Sequence, residues 1–238
     1  MLKPDSAVLA QREIGLVGYA AGLELQRELH ARVLNGEMDG ALLLLEHSHV
    51  YTLGRRGKLD DLLAPGDRLS SLGVEVHHVD RGGEVTYHGP GQLVGYPVVD
   101  LRRLRMRPLE YVRSLERLLI ETLSDFGIAA EAEGHPTGIW TGGAKIAAIG
   151  VRVSRGVTTH GFALNVSPDL GYFEHIVPCG IEDCRVTSME SEGVTAEIVE
   201  VASRAASRFE GVFGVRLEPM PDVPGPLRAH RIVRCVQQ

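Results

Sequence analysis

Hydrophobic positions follow several distinct rhythms along this chain. In residues 18–35, Ala20, Leu23, Leu25, Leu29 and Val33 recur near helical spacing with polar residues between them, which predicts a helix ended by Asn35-Gly36. Residues 41–45 are an unbroken aliphatic run, the pattern of a strand covered on both faces, and it is expected to continue to about Leu53. Short strands are expected over residues 74–79 and 84–87, and a longer one over 92–99. Residues 108–126 predict a helix, with Pro108 at its first position, Leu109, Val112, Leu115, Leu119 and Leu123 as its apolar stripe and Gly127 as its stop. Residues 139–153 and 157–166 read as two strands forming a hairpin at Ser154-Arg155-Gly156. Thr195 is expected to cap a last helix to about Phe213, with Ile198, Val201, Ala205 and Phe209 inward. No internal repeat or low-complexity linker interrupts this order. The chain therefore reads as one domain, with a core of about residues 15–215 and a Pro-rich tail over about 219–238.

Composition narrows the classes. The 238 residues are 44% hydrophobic and 24% charged, ordinary values for a globular chain able to bury a sizeable core. A net charge of −6 argues against general nucleic-acid binding, which needs a basic footprint. Three cysteines do not form a disulfide framework, and no apolar run suits a secretion signal or a membrane span. A soluble, cytoplasmic, monomeric protein with reduced thiols is expected.

Two residues carry the sharpest chemical signal. The chain has 25 Lys plus Arg, yet lysine occurs only at Lys3, Lys58 and Lys145. Lys145 lies in the small-residue run Gly-Gly-Ala-Lys-Ile-Ala-Ala-Ile-Gly, where an ammonium is poorly solvated and a lysine becomes a usable base. Cys179 sits between Pro178 and Gly180 in a tight loop. A cation about 4 Å from a thiol contributes about 4 kcal/mol at an effective dielectric of ~20, enough to favour the nucleophilic thiolate. A buried structural cysteine and a solvated strand-end lysine are the plainer alternative.

Residues 80–101 form a second unusual stretch, in which Gly82, Gly83, Gly89 and Gly91 would let main chain line a small-molecule pocket or make two turns. It has neither a Walker lysine nor the dinucleotide spacing. Arg102, Arg103, Arg105 and Arg107, followed by Arg113 and Arg117, form a local basic patch, readable as a solvated face or as a dock for an acidic partner. His47 with His49, and His77 with His78, invite a metal reading. No His-Glu-x-x-His or Cys-x-x-Cys completes it, and the interval from Cys179 to Cys184 does not suit a zinc knuckle, so no metal is expected. Cys179, His160 and Asn165 could be set in a papain-like arrangement, but no local signature supports that. His88 and His160 read as pocket donors or satisfied core histidines.

Four ordered motifs then carry a resemblance: Arg-Gly-Gly-Glu-Val-Thr-Tyr-His-Gly-Pro-Gly-Gln from Arg81, Gly143-Ala144-Lys145-Ile146, His160-Gly161-Phe162-Ala163-Leu164-Asn165-Val166, and Pro178-Cys179-Gly180. In this order the chain resembles the lipoyl(octanoyl) transferases over roughly residues 15–215. The resemblance implies a mixed α/β fold, with a central mixed sheet flanked by helices and a smaller sheet, similar to the catalytic domain of biotin and lipoate protein ligases. It implies transfer of an octanoyl group from octanoyl-acyl carrier protein to a lysine of lipoyl domains or of the glycine cleavage H protein, without a cofactor. Cys179 would carry the acyl group as a thioester while Lys145 lowers the thiol pKa and handles protons. Arg81, Gly82, Gly83, Glu84, Val85, Thr86, Tyr87 and His88 would line the acyl site, with Ala148, Ile149, Gly150, Gly161, Phe162 and Ala163. One departure is Val177, where relatives commonly carry Asn before the Pro-Cys-Gly loop. The competing readings are an ATP-dependent lipoate or biotin ligase, which needs no nucleophilic cysteine, and a non-catalytic acyl-binding protein.

Overall fold

A computed structural model describes residues 7–64, 69, 73–177 and 184–220. The chain begins with β1 (Val8–Val17), α1 (Tyr19–Leu34) and β2 (Gly40–His47), in which the helix returns the chain so that β2 lies parallel to β1. Then come β3 (Val50–Leu53), β4 (Glu75–His78), β5 (Val85–His88), β6 (Gln92–Val99) and α2 (Pro108–Asp125). The last elements are β7 (Ile139–Thr141), β8 (Ala144–Ser154), β9 (Val157–Asn165), α3 (Ile198–Phe213) and β10 (Arg216–Pro219). Seven strands form one mixed sheet in the order β10-β1-β2-β6-β9-β8-β7, and three form a smaller sheet in the order β4-β3-β5.

The aliphatic run in β2 has a direct explanation. Successive strand side chains point to opposite faces, and here both faces are covered. Leu42 and Leu44 pack with Leu115, Leu119 and Phe209 beneath α2 and α3. Leu43 and Leu45 pack with Leu25, Leu29 and Val33 of α1. Burying each such side chain contributes roughly 1.5–3 kcal/mol. A third cluster, with Tyr51, Leu53, Val85, Tyr87 and Ile176, is the core of the small sheet.

Several expectations change in detail. The β2 run does not continue to Leu53: it breaks at Ser48-His49, and β3 leaves for the small sheet. The strand expected over residues 139–153 is two strands, because Gly142 and Gly143 both hold positive φ, +54° and +74°, and turn the chain back. In α1 the buried face is Tyr19, Gly22, Leu25, Gln26, Leu29 and Val33, while Ala20 is exposed and Leu23 half-buried. In α2, Leu109 is 68% exposed because its turn overhangs a cavity mouth, and Tyr111 and Leu118 take the core positions. The last helix has Glu197 rather than Thr195 at its N-cap position, with no side-chain hydrogen bond to its first turn. β1 and β10 carry no apolar pattern and become strands through pairing. The tail beyond Met220 lies outside the described residues.

Candidate active site

Lys145 is the second residue of β8 and is held from both sides. Trp140 of β7 pairs with it across one edge. On the other edge its N–H donates to Arg185 O at 2.7 Å, and its carbonyl accepts from Thr187 N–H at 3.0 Å. The residue is only 6% exposed, and its Nζ stands 5.5 Å from the centre of the Trp140 ring, within range of a cation–π contact. The side chain passes over Gly138, which has φ +143°. A Cβ there would lie 2.4 Å from Lys145 Cε and 2.8 Å from Ala147 O, so the backbone as well as the lysine's path requires glycine.

A cavity of about 400 Å³ opens between the two sheets and includes Lys145 in its wall. Ala147, Ala148, Ile149, Gly150 and Val151 of β8 form one side, and His160, Gly161, Phe162 and Ala163 of β9 continue it. Arg81, Gly82, Gly83, Glu84, Val85, Thr86 and His88 close it from the small sheet, while Tyr19 and Tyr96 lie deeper and Leu109, Val112 and Phe173 edge it. Tyr87 is turned away. Strand alternation sends it into the small-sheet core, where its hydroxyl bonds His49 Nδ1 at 2.7 Å and its ring stacks on Tyr172.

The loop over residues 81–84 is built by Arg81, whose guanidinium is buried. It donates to Thr52 O at 2.6 Å, to Thr52 Oγ1 and to Gly82 O. Gly54, Arg55 and Arg56 N–H groups bond carbonyls of Glu84, Arg81 and Gly83, and Gly82 N–H bonds Val151 O. The glycine-rich stretch thus lines the cavity with main chain while side-chain anchors fix its shape.

A buried polar chain links this wall to Lys145, and two of its members, Gln92 and Thr187, had no role in the sequence reading. His88 Nδ1 donates to Gln92 Oε1 at 2.7 Å, because the Gln92 amide N–H groups are committed to Tyr87 O and Asn165 Oδ1. Asn165 Nδ2 donates to Thr187 O, and Thr187 N–H to Lys145 O. Polar side chains at Gln92 and Asn165, inside otherwise apolar strands, were the available signal. Burial lowers His88 to about 3, and the neighbouring His47 adds to the shift. Burial likewise lowers His47 to about 4; its ring bonds Val17 O and Tyr96 Oη. Both imidazoles are neutral at physiological pH.

His160 is held differently. Its φ is +57°, and its N–H donates to Gln26 Oε1 at 2.6 Å, leaving Gln26 Nε2 buried without a partner. Its Nε2 meets Asp80 Oδ1 at 3.0 Å, and Arg152 pairs with the same carboxylate. Burial lowers its pKa, and Asp80 only partly restores it.

Pro178, Cys179 and Gly180 lie outside the described residues, so of the expected pair the structure describes only Lys145. The chain before that segment is fixed by Leu63 N–H to His175 O and Val177 N–H to Asp61 O. The chain after it returns as the Arg185–Thr187 pairing on Lys145. Cys184 is half-buried, with its Sγ 4.0 Å from Arg185 O. Among the described residues, no group of three His, Cys, Asp or Glu could hold a metal ion, and no helix is long and apolar enough to cross a membrane.

Comparison with known proteins agrees with this architecture. Residues 18–210 match the lipoyl protein ligase A/B catalytic domain. An octanoyltransferase of Solibacter usitatus is 51% identical over 208 residues, covering 87% of this chain and 94% of that protein. An octanoyltransferase of Acidobacterium capsulatum is 50% identical over 223 residues, covering 87% and 91%. The crystal structure of a lipoate-protein ligase A bound with ATP has a TM-score of 0.70 over 92% of this chain and 90% of that one; at 16% identity, that likeness shows the fold alone. The matched span runs from the start of α1 into the last turn of α3 and includes every strand around the cavity, and the chain accordingly belongs to the lipoyl protein ligase A/B catalytic domain family, with the octanoyltransferases as its relatives.

Proposed function

We propose that this chain, acting as a cytoplasmic monomer of one acyltransferase domain, moves an octanoyl group from octanoyl-acyl carrier protein to a specific lysine of a lipoyl domain. The acceptors are 2-oxoacid dehydrogenase acyltransferase subunits and the glycine cleavage H protein, and no ATP or cofactor takes part. The observation that carries the reading is a buried lysine in the wall of a cavity lined largely by apolar side chains and main chain, with the chain downstream of Cys179 bonded to that lysine's backbone.

The chemistry divides into two balanced steps. The Cys179 thiolate attacks the carrier thioester, and the tetrahedral oxyanion collapses with loss of the carrier thiolate, which takes a proton from the Lys145 ammonium. The acceptor lysine then attacks the Cys179 thioester as a free amine. Lys145, now neutral, removes the proton from nitrogen as the amide forms and the Cys179 thiolate leaves. A neutral His88 and an apolar β8–β9 wall suit an uncharged aliphatic chain, since neither presents an uncompensated charge to it.

Incubation with octanoyl-acyl carrier protein in the absence of ATP, followed by denaturation and peptide mass analysis, tests the proposal. One octanoyl group on the Cys179 peptide, released by hydroxylamine and absent in Cys179→Ser, is the expected result. Acceptor labelling only when ATP is added would replace the transferase with a ligase, and no covalent product under either condition would leave an acyl-binding protein.

A further inference from the structure

A second pocket of about 350 Å³ lies on the far side of the cavity wall, lined by Leu23, Gln26, Val79, Asp80 and Thr159 among others. His160 lines both spaces. Its ring faces Tyr96 on the cavity side, with centroids 6.3 Å apart, and meets Asp80 on the other. One imidazole therefore forms the partition.

Its position along the wall gives that partition a direction. Lys145 is the second residue of β8, whereas His160 pairs with Val151, six residues further on, or about 20 Å of strand. Gly150 and Gly161, the neighbouring pair, line the cavity with main chain just before it, because Gly95 O stands where a Gly161 Cβ would lie and Gly82 O crowds Gly150. The ring is also held at some cost. Its residue adopts a left-handed backbone, the adjoining β6–β9 pairing is interrupted between Phe162 and Val157, and Gln26 is spent on the His160 N–H. Pro97, which faces His160 in the continued register, has no N–H to give the ladder, so the break in pairing comes from β6. The left-handed backbone and the use of Gln26 belong to His160 itself.

We propose that His160 is the end wall of the acyl cavity and sets the upper limit on acyl chain length, with Asp80 and Arg152 fixing its ring. This rests on the acyl-transfer reading of the cavity and adds to it the residue that determines specificity. A chain long enough to reach the wall stops at the imidazole, and removing the ring joins the two pockets so that a longer chain can run through into the second.

Left-handed backbone is open to glycine without strain, so His160→Gly removes the ring while keeping the N–H bond to Gln26. Asp80→Ala leaves the ring in place but frees it, and the Asp80 side chain is 54% exposed, so the fold is not at risk. Binding of octanoate, decanoate, dodecanoate and tetradecanoate to the whole protein would be measured by calorimetry. Transfer from the corresponding acyl-carrier proteins would be measured alongside. The expected result is a shift in the tetradecanoate-to-octanoate affinity ratio of at least about tenfold in His160→Gly, and a smaller shift in the same direction in Asp80→Ala. Octanoate binding with an unchanged length ranking in both variants overturns the end wall and leaves the transferase reading standing. Failure of the unaltered protein to transfer an acyl group from any of the acyl-carrier proteins overturns both.

Discussion

The two ends of the cavity solve the problem of a buried polar group in opposite ways. At the Lys145 end the charged side chain is set by main chain: a two-glycine turn, pairing to β7, and the Arg185–Thr187 segment on the other edge. The lysine lies on Gly138 and near an aromatic face. At the His160 end the side chains set the main chain instead, since Gln26 holds a left-handed backbone and Asp80 holds the ring. Backbone pairing gives the lysine a precise origin, as the proposed chemistry requires. A side-chain lattice gives a wall whose position can be retuned without unpicking a strand. The difference teaches that the end bearing the chemistry should tolerate almost no substitution, whereas the far end should trade one substrate for another.

The largest effect expected at the Lys145 end is from Lys145→Arg. Arginine keeps the positive charge but neither gives up nor takes a proton. Acyl-Cys179 formation should therefore slow only modestly, since water can protonate the departing carrier thiolate, while transfer to the acceptor falls by about 10²–10⁴. Single-turnover assays separate the two steps; equal loss in both would show that the lysine does not act as the second-step base. Gly138→Ala should be next. Its Cβ would collide with Lys145 Cε, and a displacement near 1 Å in a positioned group costs about 10²-fold in rate. Normal kinetics in this variant would mean that the lysine's observed path is not the reactive one.

The middle of the cavity provides a smaller test. His47 and His88 are lowered to about 4 and about 3, below the ordinary histidine value near 6.5. The unfolded chain therefore takes up protons first as pH falls. The stability due to their neutral forms is full above about pH 6.5 and is lost progressively toward the folded values. Denaturant midpoints measured from pH 7.5 to 5 should drop, and His88→Gln should flatten that slope even while lowering stability at pH 7.5. An unaltered slope would show that His88 is not buried neutral.

The smallest effect belongs to the arginine patch. Arg102 pairs with Asp100 and Arg103 with Asp39, so much of the positive charge read from the sequence is already offset. Arg105 and Arg107 are exposed, and Arg107 adjoins the α2 turn at the cavity mouth. Charge reversal at these two should raise KM for the carrier substrate a few-fold at low salt, with kcat nearly unchanged and the difference fading as salt rises. No change in KM would remove the patch from carrier docking.

How much of this could be read in advance depends on what each feature needs. The helices α1 and α2, the double-faced strand β2 and the β8–β9 hairpin declare themselves through local spacing, because burial on a fixed periodicity leaves a mark on every second or fourth residue. β1 and β10 do not, since half-exposed strands acquire their identity from a neighbour rather than from an apolar pattern. Lys145 was legible from its composition alone, one lysine in a run of small residues. The buried chain from His88 through Gln92 and Asn165 to Thr187 was not, because those residues lie up to about a hundred positions apart and meet only when β5, β6 and β9 are placed side by side. Sequence determined the elements, the order of the motifs and the one lysine set in a run of small residues. Tertiary structure alone decided that Tyr87 turns away from the cavity and that His160 divides two spaces, because which face of a strand meets which neighbour is set by packing across the sheets and leaves no local trace.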